Sequence, residues 1–284
     1  MKFKWPKVSV IVVNFNGKKY IGECVDSILQ SDYSSFEVII VENGSSDGSW
    51  QYLSRRYGKN SKVRLVRSEI NLFFSGGSNL GASEAKGQKL VFINSDARVD
   101  KNCLKELVLA VGKERRRLVQ PKIMIDGKKR VIDNVGGVYR WPGVGFGKGS
   151  LEIDRGQYDE KRQIDFVNGT CFLIDKNFFE DLGGFDESFR FLYEDVDLNL
   201  RAKRKGGESW LSYKAVIWHK GGLSFRKNWK DEKIIYYSRR NRLLTTIKNF
   251  KGFEKWGRVL GLIVSYVFLP RRLVSLKALL AVAS

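Results

Sequence analysis

Apolar residues along the chain follow two repeats, one typical of buried strands and one typical of helices. Unbroken apolar runs occupy Val8–Asn14, residues 36–41 and Lys89–Asn94, as in strands that are covered on both faces. Between them, residues 20–29 and 104–111 carry apolar side chains at helical spacing. Strands that alternate with helices at this interval predict βαβ units. The fold class is therefore α/β, with a mostly parallel central sheet flanked by helices.

The same patterns predict further elements toward the C-terminus. Strands are predicted at residues 63–66, 165–174 and 210–218, and helices at residues 77–86, 178–182, 236–250, 259–269 and 273–283. Residues 136–156 are rich in glycine and keep neither pattern. We expect a loop there; a position beside a bound substrate and a plain surface excursion both remain open.

Three predicted strands end in polar residues. These ends are residues 14–17 (Asn-Phe-Asn-Gly), 42–48 (Glu-Asn-Gly-Ser-Ser-Asp-Gly) and 94–96 (Asn-Ser-Asp). Ligands of open parallel sheets bind at the carboxyl ends of the strands. Asn, Asp and Gly are also ordinary turn formers, which explains any one of these ends alone. Their occurrence at several strands in succession predicts a ligand cleft.

Charge is distributed unevenly along the 284 residues. The chain has 51 Lys and Arg against 31 Asp and Glu, and residues 201–284 hold 20 of the former and 4 of the latter. A basic C-terminal third predicts contact with nucleic acid, anionic lipid or a phosphorylated substrate, although a solvated basic surface has the same composition. The last helices suit a membrane interface, or they form a helical pair packed on the domain.

Cysteine, histidine and hydrophobic-run statistics exclude several classes of protein. Three widely spaced cysteines argue against a disulfide scaffold, and a single histidine excludes a multi-histidine zinc centre. The same cysteine pattern favours a reducing compartment. The first apolar stretch ends at Asn14, too early for a signal peptide. The apolar stretch at residues 259–269 is well short of the roughly 20 residues that span a bilayer.

Acidic residues and the single histidine are the candidates for chemistry. Asp96 follows a buried strand, where a carboxylate suits a divalent cation that shares its oxygen ligands with phosphates. Glu194, Asp195 and Asp197 precede an apolar-periodic run. They are either ordinary acids of a first helical turn or the source of a general base whose pKa is raised by its neighbours. His219 is a candidate ligand for the same metal, or a structural residue.

Short segments of the chain occur in an order that can be compared with known families. They are residues 8–17, 41–48 (VENGSSDG), 71–81, 94–96 (NSD), 165–170, 183–186 (GGFD), 193–198 (YEDVDL) and 218–219. Together they resemble glycosyltransferase family 2, and within it the rhamnosyltransferase-like branch. The resemblance covers about residues 7–250.

The resemblance implies a GT-A fold and an inverting transfer from a nucleoside-diphosphate sugar. It implies Mn²⁺ or Mg²⁺ held by Asp96, with His219 as a second ligand. It also implies that Asp195 deprotonates the acceptor hydroxyl while Glu194 helps to seat the acceptor. The donor-binding positions that it implies are Asn14, Glu42, Asn43, Asp47, Gly76 and Asn94. These roles agree with the chemistry, since an inverting displacement needs a base opposite the leaving group and a cation on the departing diphosphate.

The chain departs from the family pattern at several positions. Glu42 stands where Asp is usual, which leaves the base of the donor open. Phe73 stands where Gly is common, so the turn there is expected to differ. The segment 94–96 has one acid where other members have two, so metal binding depends on a contribution from His219. The basic tail exceeds what the catalytic fold requires.

The sequence thus predicts a catalytic domain over residues 1–233 and a basic, amphipathic, membrane-associating region over residues 234–284. The expected partners are a UDP- or dTDP-sugar donor, a lipid-linked or polysaccharide acceptor, and an anionic membrane surface, with no nucleic acid. The expected location is cytoplasmic, peripheral on the inner face of the cell membrane.

Two other functions fit parts of the sequence. A non-catalytic nucleic-acid-binding protein would use the net charge of +20 and aromatic residues between cations, such as Trp229, Tyr236 and Tyr237. Carboxylates at the strand ends would repel nucleic-acid phosphates unless a metal intervened. A sugar nucleotidyltransferase would need a long glycine-rich phosphate loop near its N-terminus, whereas here a helix is predicted directly after Gly17.

Overall fold

The computed structural model describes residues 5–221, 232–268 and 272–283, in which strands and helices alternate. The strands are β1 (Val8–Asn14), β2 (Phe36–Asn43), β3 (Val63–Ser68), β4 (Lys89–Asn94), β5 (Ala97–Val99), β6 (Arg117–Ile125), β7 (Ile132–Asn134), β8 (Gly137–Arg140), β9 (Val144–Gly147), β10 (Arg162–Ile164), β11 (Cys171–Asp175) and β12 (Glu208–His219). The α-helices are α1 (Lys18–Leu29), α2 (Ser49–Tyr57), α3 (Phe73–Ser83), α4 (Cys103–Val111), α5 (Lys176–Asp181), α6 (Glu194–Arg204), α7 (Glu232–Asn249), α8 (Gly252–Phe268) and α9 (Arg272–Ala283). A short 3-10 helix, Glu187–Phe189, precedes α6.

The first four strands form the parallel block that the apolar runs predict. They lie in the order β3-β2-β1-β4, and each neighbouring pair is parallel. Helices α1, α2 and α4 pack on one face of the sheet, and α3, α5 and α6 pack on the other. An α/β fold with helices on both sides of a central sheet is therefore confirmed.

The second half of the sheet is mixed. Strand β11 lies between β4 and β6 and is antiparallel to both, whereas β6 and β12 are parallel to each other. Strand β10 pairs antiparallel with β12 at the sheet edge, and the short strands β5 and β7 pair antiparallel with β12 and β6. The sheet therefore keeps one main direction but contains antiparallel strands.

Strand β1 is buried on both faces and pairs with β2 in a parallel register. Val10 and Val12 pack on the α1 side, and Ile11 packs on the other side with Phe92 and Phe172. Burying each large apolar side chain contributes about 1.5–3 kcal/mol. The register with β2 sets Asn14 beside Glu42.

One predicted strand is shorter than its sequence pattern suggests. Residues 165–174 are predicted as a strand, but the strand begins only at Cys171. Before it, the backbone N–H groups of Val167, Asn168 and Gly169 donate to side chains. Their acceptors are Asn199, Gln120 and Asp195, at 3.0, 2.7 and 2.9 Å. Residues 167–169 therefore bond to side chains instead of to the backbone of a neighbouring strand, and they do not belong to the sheet.

Strand β6 and the β8–β9 hairpin are not predicted by the sequence pattern. Buried Gln120 and Lys122 interrupt the apolar run of β6, and each is hydrogen-bonded, Lys122 Nζ to Asp154 at 2.8 Å. The glycine-rich residues 136–156 were expected as a loop, but they include the antiparallel pair β8 and β9.

The C-terminal helices pack on the rest of the protein. Leu244 of α7 lies in a cluster with Phe166, Phe189 and Tyr193, and α8 contributes Leu262 and Tyr266 to a cluster with α7. This is the packed helical arrangement that the sequence left open. The division at residues 233 and 234 stays a prediction, and Trp229 lies outside the described residues.

Among the helices described, none combines the length and the apolar character needed to cross a bilayer.

Candidate active site

A cavity of about 630 Å³ opens where β4, β12 and α6 converge. Two groups of its lining residues are Asn94, Asp96 and His219, which form one wall, and Glu194 and Asp195, which belong to another. The structure thus brings together the predicted metal-binding and catalytic residues, although they lie far apart in the chain.

Asp96 and His219 form one wall through direct contact. His219 Nε2 lies 3.3 Å from Asp96 Oδ1, and Asn94 Nδ2 lies 3.5 Å from the same ring nitrogen. The other ring nitrogen, Nδ1, lies 2.8 Å from Asp133 Oδ2. Since Asp133 holds Nδ1, Nε2 is directed at Asp96. A carboxylate on the second nitrogen is the usual way of orienting a metal-binding imidazole.

The donor set and its surroundings fit a hard divalent cation. Two ligands at adjacent positions of an octahedral ion lie about 3 Å apart, and the Asp96–His219 separation is 3.3 Å. Gly221 lies against both, so an added Cβ there would meet Asp96 Oδ2 at 2.6 Å and His219 Nε2 at 2.7 Å. Across the described ranges, no group of three or more His, Cys, Asp and Glu side chains has metal-binding geometry. Substrate phosphates and water would therefore complete the coordination.

The contact between these residues also shifts their pKa values. Burial acts to lower the pKa of His219, but the hydrogen bonds and charges of Asp133 and Asp96 outweigh it and raise the pKa to about 9. Burial acts to raise the pKa of Asp96, and the bond to His219 outweighs it, so that the pKa is lowered. Asp96 is thus held as a carboxylate, the form that binds cations, whereas His219 must release its Nε2 proton before that nitrogen can bind one.

Glu194 and Asp195 begin α6 on another wall of the cavity. The backbone before them is unusual, since Leu192 and Tyr193 have φ angles of 68° and 70°. Asp195 Oδ2 accepts a 2.9 Å hydrogen bond from the N–H of Gly169, and Oδ1 accepts one from Val196 at 2.8 Å. A left-handed backbone in non-glycine residues is costly and is found most often at functional sites.

The carboxylates of Glu194 and Asp195 have raised pKa values. Burial, and then the charge of Asp195, raise the pKa of Glu194 well above its ordinary range. Burial also raises the pKa of Asp195, although the N–H groups of Gly169 and Val196 act against the shift. Asp195 accepts two backbone hydrogen bonds whereas Glu194 Oε2 accepts none among the described residues, so Asp195 is the better placed of the two to carry a negative charge.

The predicted nucleoside positions form a separate hydrogen-bonded cluster at the ends of β1 and β2. Asn14 Nδ2 donates to Glu42 Oε2 at 2.7 Å, and Glu42 Oε1 accepts from the N–H of Ser45 at 2.9 Å. Asp47 accepts from the N–H groups of Lys18 and Ser49 at 2.9 and 3.0 Å. These contacts fix residues 42–48 as one rigid turn. Apart from Asn94, the predicted donor positions do not line the cavity.

Asn43, Phe73 and Gly76 build the neighbouring turn into α3. Asn43 Nδ2 donates to Phe73 O at 3.0 Å, and its Oδ1 accepts from Leu72 N at 2.9 Å. Phe73 has a φ of 58°, so it adopts the left-handed conformation that a glycine takes at low cost. Gly76 is buried, and an added Cβ would meet Leu72 Cβ at 3.0 Å. The structure therefore gives Gly76 a packing role.

Sequence reasoning missed Asp133, Gln120 and Gly221. Asp133 lies in a three-residue strand without an apolar pattern, and Gln120 interrupts one. The signal in the sequence is weak, namely polar residues inside or beside strands. Their contacts with the site arise only when β6, β7 and β12 come together.

Comparisons with known proteins extend this description. The O-antigen biosynthesis protein RfbC of Myxococcus xanthus is 30% identical over 207 residues, which cover 71% of this chain and 16% of that protein. TarS 1-349 of S. aureus in complex with UDP-GlcNAc has a TM-score of 0.62 at 18% identity, covering 96% of this chain and 79% of that one. The mannosyltransferase PcManGT of Pyrobaculum calidifontis, in complex with GDP-Man and Mn²⁺, has a TM-score of 0.62 at 17% identity, covering 99% and 76%.

The comparisons differ in what they show. The chain spans less than two thirds of the length of the first curated relatives. The structural likeness, at low identity, confirms the GT-A fold alone. A family model for glycosyl transferase family 2 matches residues 9–183, more than half of the chain. The chain therefore belongs to glycosyl transferase family 2.

Proposed function

We propose that this protein is an inverting glycosyltransferase that moves a sugar from a UDP- or dTDP-sugar to a hydroxyl of a lipid-linked or polysaccharide acceptor. The observation that carries the proposal is the shared cavity, which is lined both by the Asp96–His219 pair and by Glu194 and Asp195. A cation site on one wall and a carboxylate base on the other are the two parts that an inverting displacement needs.

Asp195 is the proposed base. Its carboxylate accepts two backbone hydrogen bonds, which hold it in place, and burial raises its pKa toward neutrality. A base with a higher pKa accepts the acceptor's hydroxyl proton more readily. Glu194, with the higher pKa of the two, retains its proton and donates a hydrogen bond toward the acceptor.

Asp96 and His219 are the proposed ligands of Mn²⁺ or Mg²⁺. Asp133 orients His219, and Gly221 leaves space beside both ligands. When bound, the ion neutralises charge on the departing nucleoside diphosphate. Solved neighbours that contain Mn²⁺ support this assignment.

The donor nucleoside is proposed to bind over the turn at residues 42–48. Asn14, Glu42, Asn43 and Asp47 hold this turn, with Gly76 in the helix behind it and Asn94 at the cavity. Asn14 Oδ1 is buried and has no hydrogen-bond partner among the described residues. The neighbours in complex with UDP-GlcNAc and GDP-Man support a nucleotide-sugar donor.

A polysaccharide or lipid-linked acceptor is supported by the relative RfbC, whose name assigns it to O-antigen biosynthesis. We place the reaction at the inner face of the cell membrane. One face of α8 packs on the protein through Val259, Leu262 and Tyr266. The opposite face exposes apolar side chains, namely Phe253 (98% exposed), Trp256 (62%), Leu260 (62%), Val264 (48%) and Phe268 (79%).

An anionic lipid surface suits this outer face of α8. Aromatic side chains favour the headgroup level of a bilayer, and cations nearby attract acidic lipids. Residues 248–277 contain seven Lys and Arg and one acid, Glu254, which pairs with Arg258 at 3.0 Å. The helix thus combines an apolar face with an excess of positive charge.

Transfer is tested by release of nucleoside diphosphate from a panel of UDP-, dTDP- and GDP-sugars, with Mn²⁺ or with EDTA. We expect metal-dependent release with one donor, and a product of inverted anomeric configuration by NMR. Asp195→Asn is expected to lose activity by about 10²–10⁴-fold with donor binding unchanged, whereas the exposed Asp181→Asn serves as control. Full activity of Asp195→Asn would remove this residue from the mechanism.

Membrane binding is tested by co-sedimentation with vesicles that contain phosphatidylglycerol. The triple variant Phe253→Ser, Trp256→Ser and Leu260→Ser is expected to stay in the supernatant. Ile70→Ser, which changes an exposed apolar residue outside α8, is the matched control. Equal sedimentation of the triple variant would contradict membrane docking by α8. A dimeric wild type that the variant makes monomeric would assign the face to a second copy of the chain instead.

A further inference from the structure

Gln120 lies at the centre of a hydrogen-bond chain that connects the two walls of the cavity. It is fully buried in β6, at 0% exposure, and it is not among the lining residues. A buried amide has a desolvation cost that is offset only when its polar atoms are bonded. Here both ends of the amide are bonded, each to a different segment of the site.

The nitrogen of Gln120 connects to the metal-binding wall. Nε2 donates to Asn134 Oδ1 at 2.9 Å, and the same oxygen accepts from Gly136 N at 2.7 Å. Asn134 follows Asp133, which bonds to His219. The position of Asp133 therefore depends on where Asn134 is held.

The oxygen of Gln120 connects to the wall that carries the base. Oε1 accepts from Asn168 N at 2.7 Å. The next residue, Gly169, donates its N–H to Asp195 Oδ2 at 2.9 Å. Backbone bonds hold this segment at its two ends, where Phe166 O accepts from Gly137 N at 2.8 Å and Thr170 O accepts from Asn94 N at 2.9 Å. Between these ends, the N–H groups of Asn168 and Gly169 donate to the side chains of Gln120 and Asp195.

We propose that Gln120 is a positioning residue that sets the distance between the metal ligands and the base. It touches neither substrate nor metal, and it acts through Asn134 on one side and through Asn168 on the other. An amide suits this place because it offers one donor and one acceptor at a fixed spacing without charge. The inference rests on the proposed function, because the transfer reaction requires the metal ligands and the base at a fixed distance from each other.

The experiment compares Gln120→Met, which keeps the side-chain volume but removes both hydrogen bonds, with Asn134→Ala and with the double variant. Ser212→Ala is the control. Ser212 is also buried in the sheet, but its hydroxyl bonds to Glu106 O, which takes no part in the hydrogen bonds of Gln120. Two quantities are measured on each folded protein. One is hydrogen exchange by mass spectrometry, and the other is kcat and KM for transfer.

We expect Gln120→Met to increase exchange in residues 132–136 and 166–170 together. We also expect kcat to fall by about tenfold or more, while the donor KM stays within about twofold, because the nucleoside turn is elsewhere. The double variant should lose no more activity than the more damaging single variant, since both interrupt one chain of bonds.

Two results would overturn the inference: a kcat of Gln120→Met within twofold of wild type, or exchange that rises in only one of the two segments. A protein that transfers no sugar from any donor would instead contradict the proposed function. The exchange experiment needs no substrate, so it still decides whether Gln120 holds both walls.

Discussion

Asp133 accepts a hydrogen bond from His219 across 86 positions of sequence, with Oδ2 and Nδ1 2.8 Å apart. This bond fixes the ring so that Nε2 faces Asp96. A predicted metal ligand thus depends on a carboxylate that no motif identifies.

Replacing Asp133 by Asn should weaken metal binding. The amide is neutral and a poorer acceptor, so His219 is less firmly oriented and less basic. We expect the affinity for Mn²⁺ to fall by about 10–100-fold, measured by titration calorimetry in the presence of nucleoside diphosphate. An unchanged affinity would show that His219 does not depend on Asp133, and Asp181→Asn controls for the loss of an acid.

Replacing Gly221 by Ala should have the same effect by a different route. The new methyl group would meet Asp96 Oδ2 at 2.6 Å and His219 Nε2 at 2.7 Å, so at least one of them must move. We expect loss of Mn²⁺-dependent donor binding in a folded protein, measured by calorimetry and circular dichroism.

Gly257→Ala is the matched control for Gly221→Ala, because nothing lies within 4 Å of the added Cβ. Retained Mn²⁺-dependent binding in Gly221→Ala would mean that Asp96 and His219 are not the ligands.

Transfer should depend on pH through Asp195. Its pKa is raised, chiefly by burial, and the base must be deprotonated to act. The rate constant kcat is therefore expected to fall as the pH decreases through this raised pKa, at a higher pH than for an exposed aspartate. A kcat that stays constant down to the ordinary range of an aspartate would argue against Asp195 as the base.

Glu194 should make the protein less stable as the pH rises. The folded-state pKa of Glu194 is raised above that in the unfolded chain, by burial first and then by Asp195. Its contribution to the free energy of unfolding is thus fully present below the unfolded-state pKa and is lost as the pH rises toward the folded-state value. Glu194→Gln should remove this loss and raise the free energy of unfolding at pH 8 by about 1–3 kcal/mol.

Thermal and urea unfolding of wild type and Glu194→Gln from pH 4 to pH 8 measure this difference. If the free energy of unfolding of the two proteins changes with pH in the same way across this range, the pKa of Glu194 is not raised by folding.

Asn241 should connect the C-terminal region to catalysis. Its Nδ2 lies 2.9, 2.9 and 2.8 Å from the carbonyl oxygens of Phe189, Phe191 and Leu192, just before the proposed catalytic carboxylates. Asn241→Ala removes the side-chain donor from these carbonyls, of which that of Phe189 still accepts from the N–H of Phe191 at 2.8 Å, and costs about 1–3 kcal/mol of stability. We also expect a reduced kcat, because the backbone that positions Glu194 and Asp195 is released.

Kinetics of the folded Asn241→Ala protein at low temperature separate the two effects. A lower melting temperature with an unchanged kcat would limit Asn241 to a structural role. The exposed Asn60→Ala, far from this segment in sequence, is the control.

Much of the fold follows from local patterns. The apolar run of β1 and the helical spacing of α1 predict both elements. A strand buried on both faces has consecutive apolar residues, and a helix buried along one stripe has them at helical spacing. The acids and amides at the ends of β1, β2 and β4 predict a cleft, but of these three ends only that of β4 lines the cavity described here. Asp96, Glu194, Asp195 and His219 meet at one cavity as expected.

Other features of the structure have no corresponding pattern in neighbouring residues. The apolar character of residues 165–170 predicts a strand, but side chains of Gln120, Asp195 and Asn199 bind its backbone instead. The apolar pattern does not predict strand β6, because buried polar residues interrupt it and are bonded to partners distant in sequence.

The sequence by itself determined the α/β class, the alternation of strands and helices in the first 111 residues and the candidate residues Asp96, Glu194, Asp195 and His219, because each rests on a pattern of neighbouring residues. The tertiary structure alone decided how those side chains are oriented. Asp133 reaches His219 across 86 positions and Gln120 reaches Asn168 across 48. A hydrogen bond depends on distance and direction in space, and no local spacing along a chain specifies its partner.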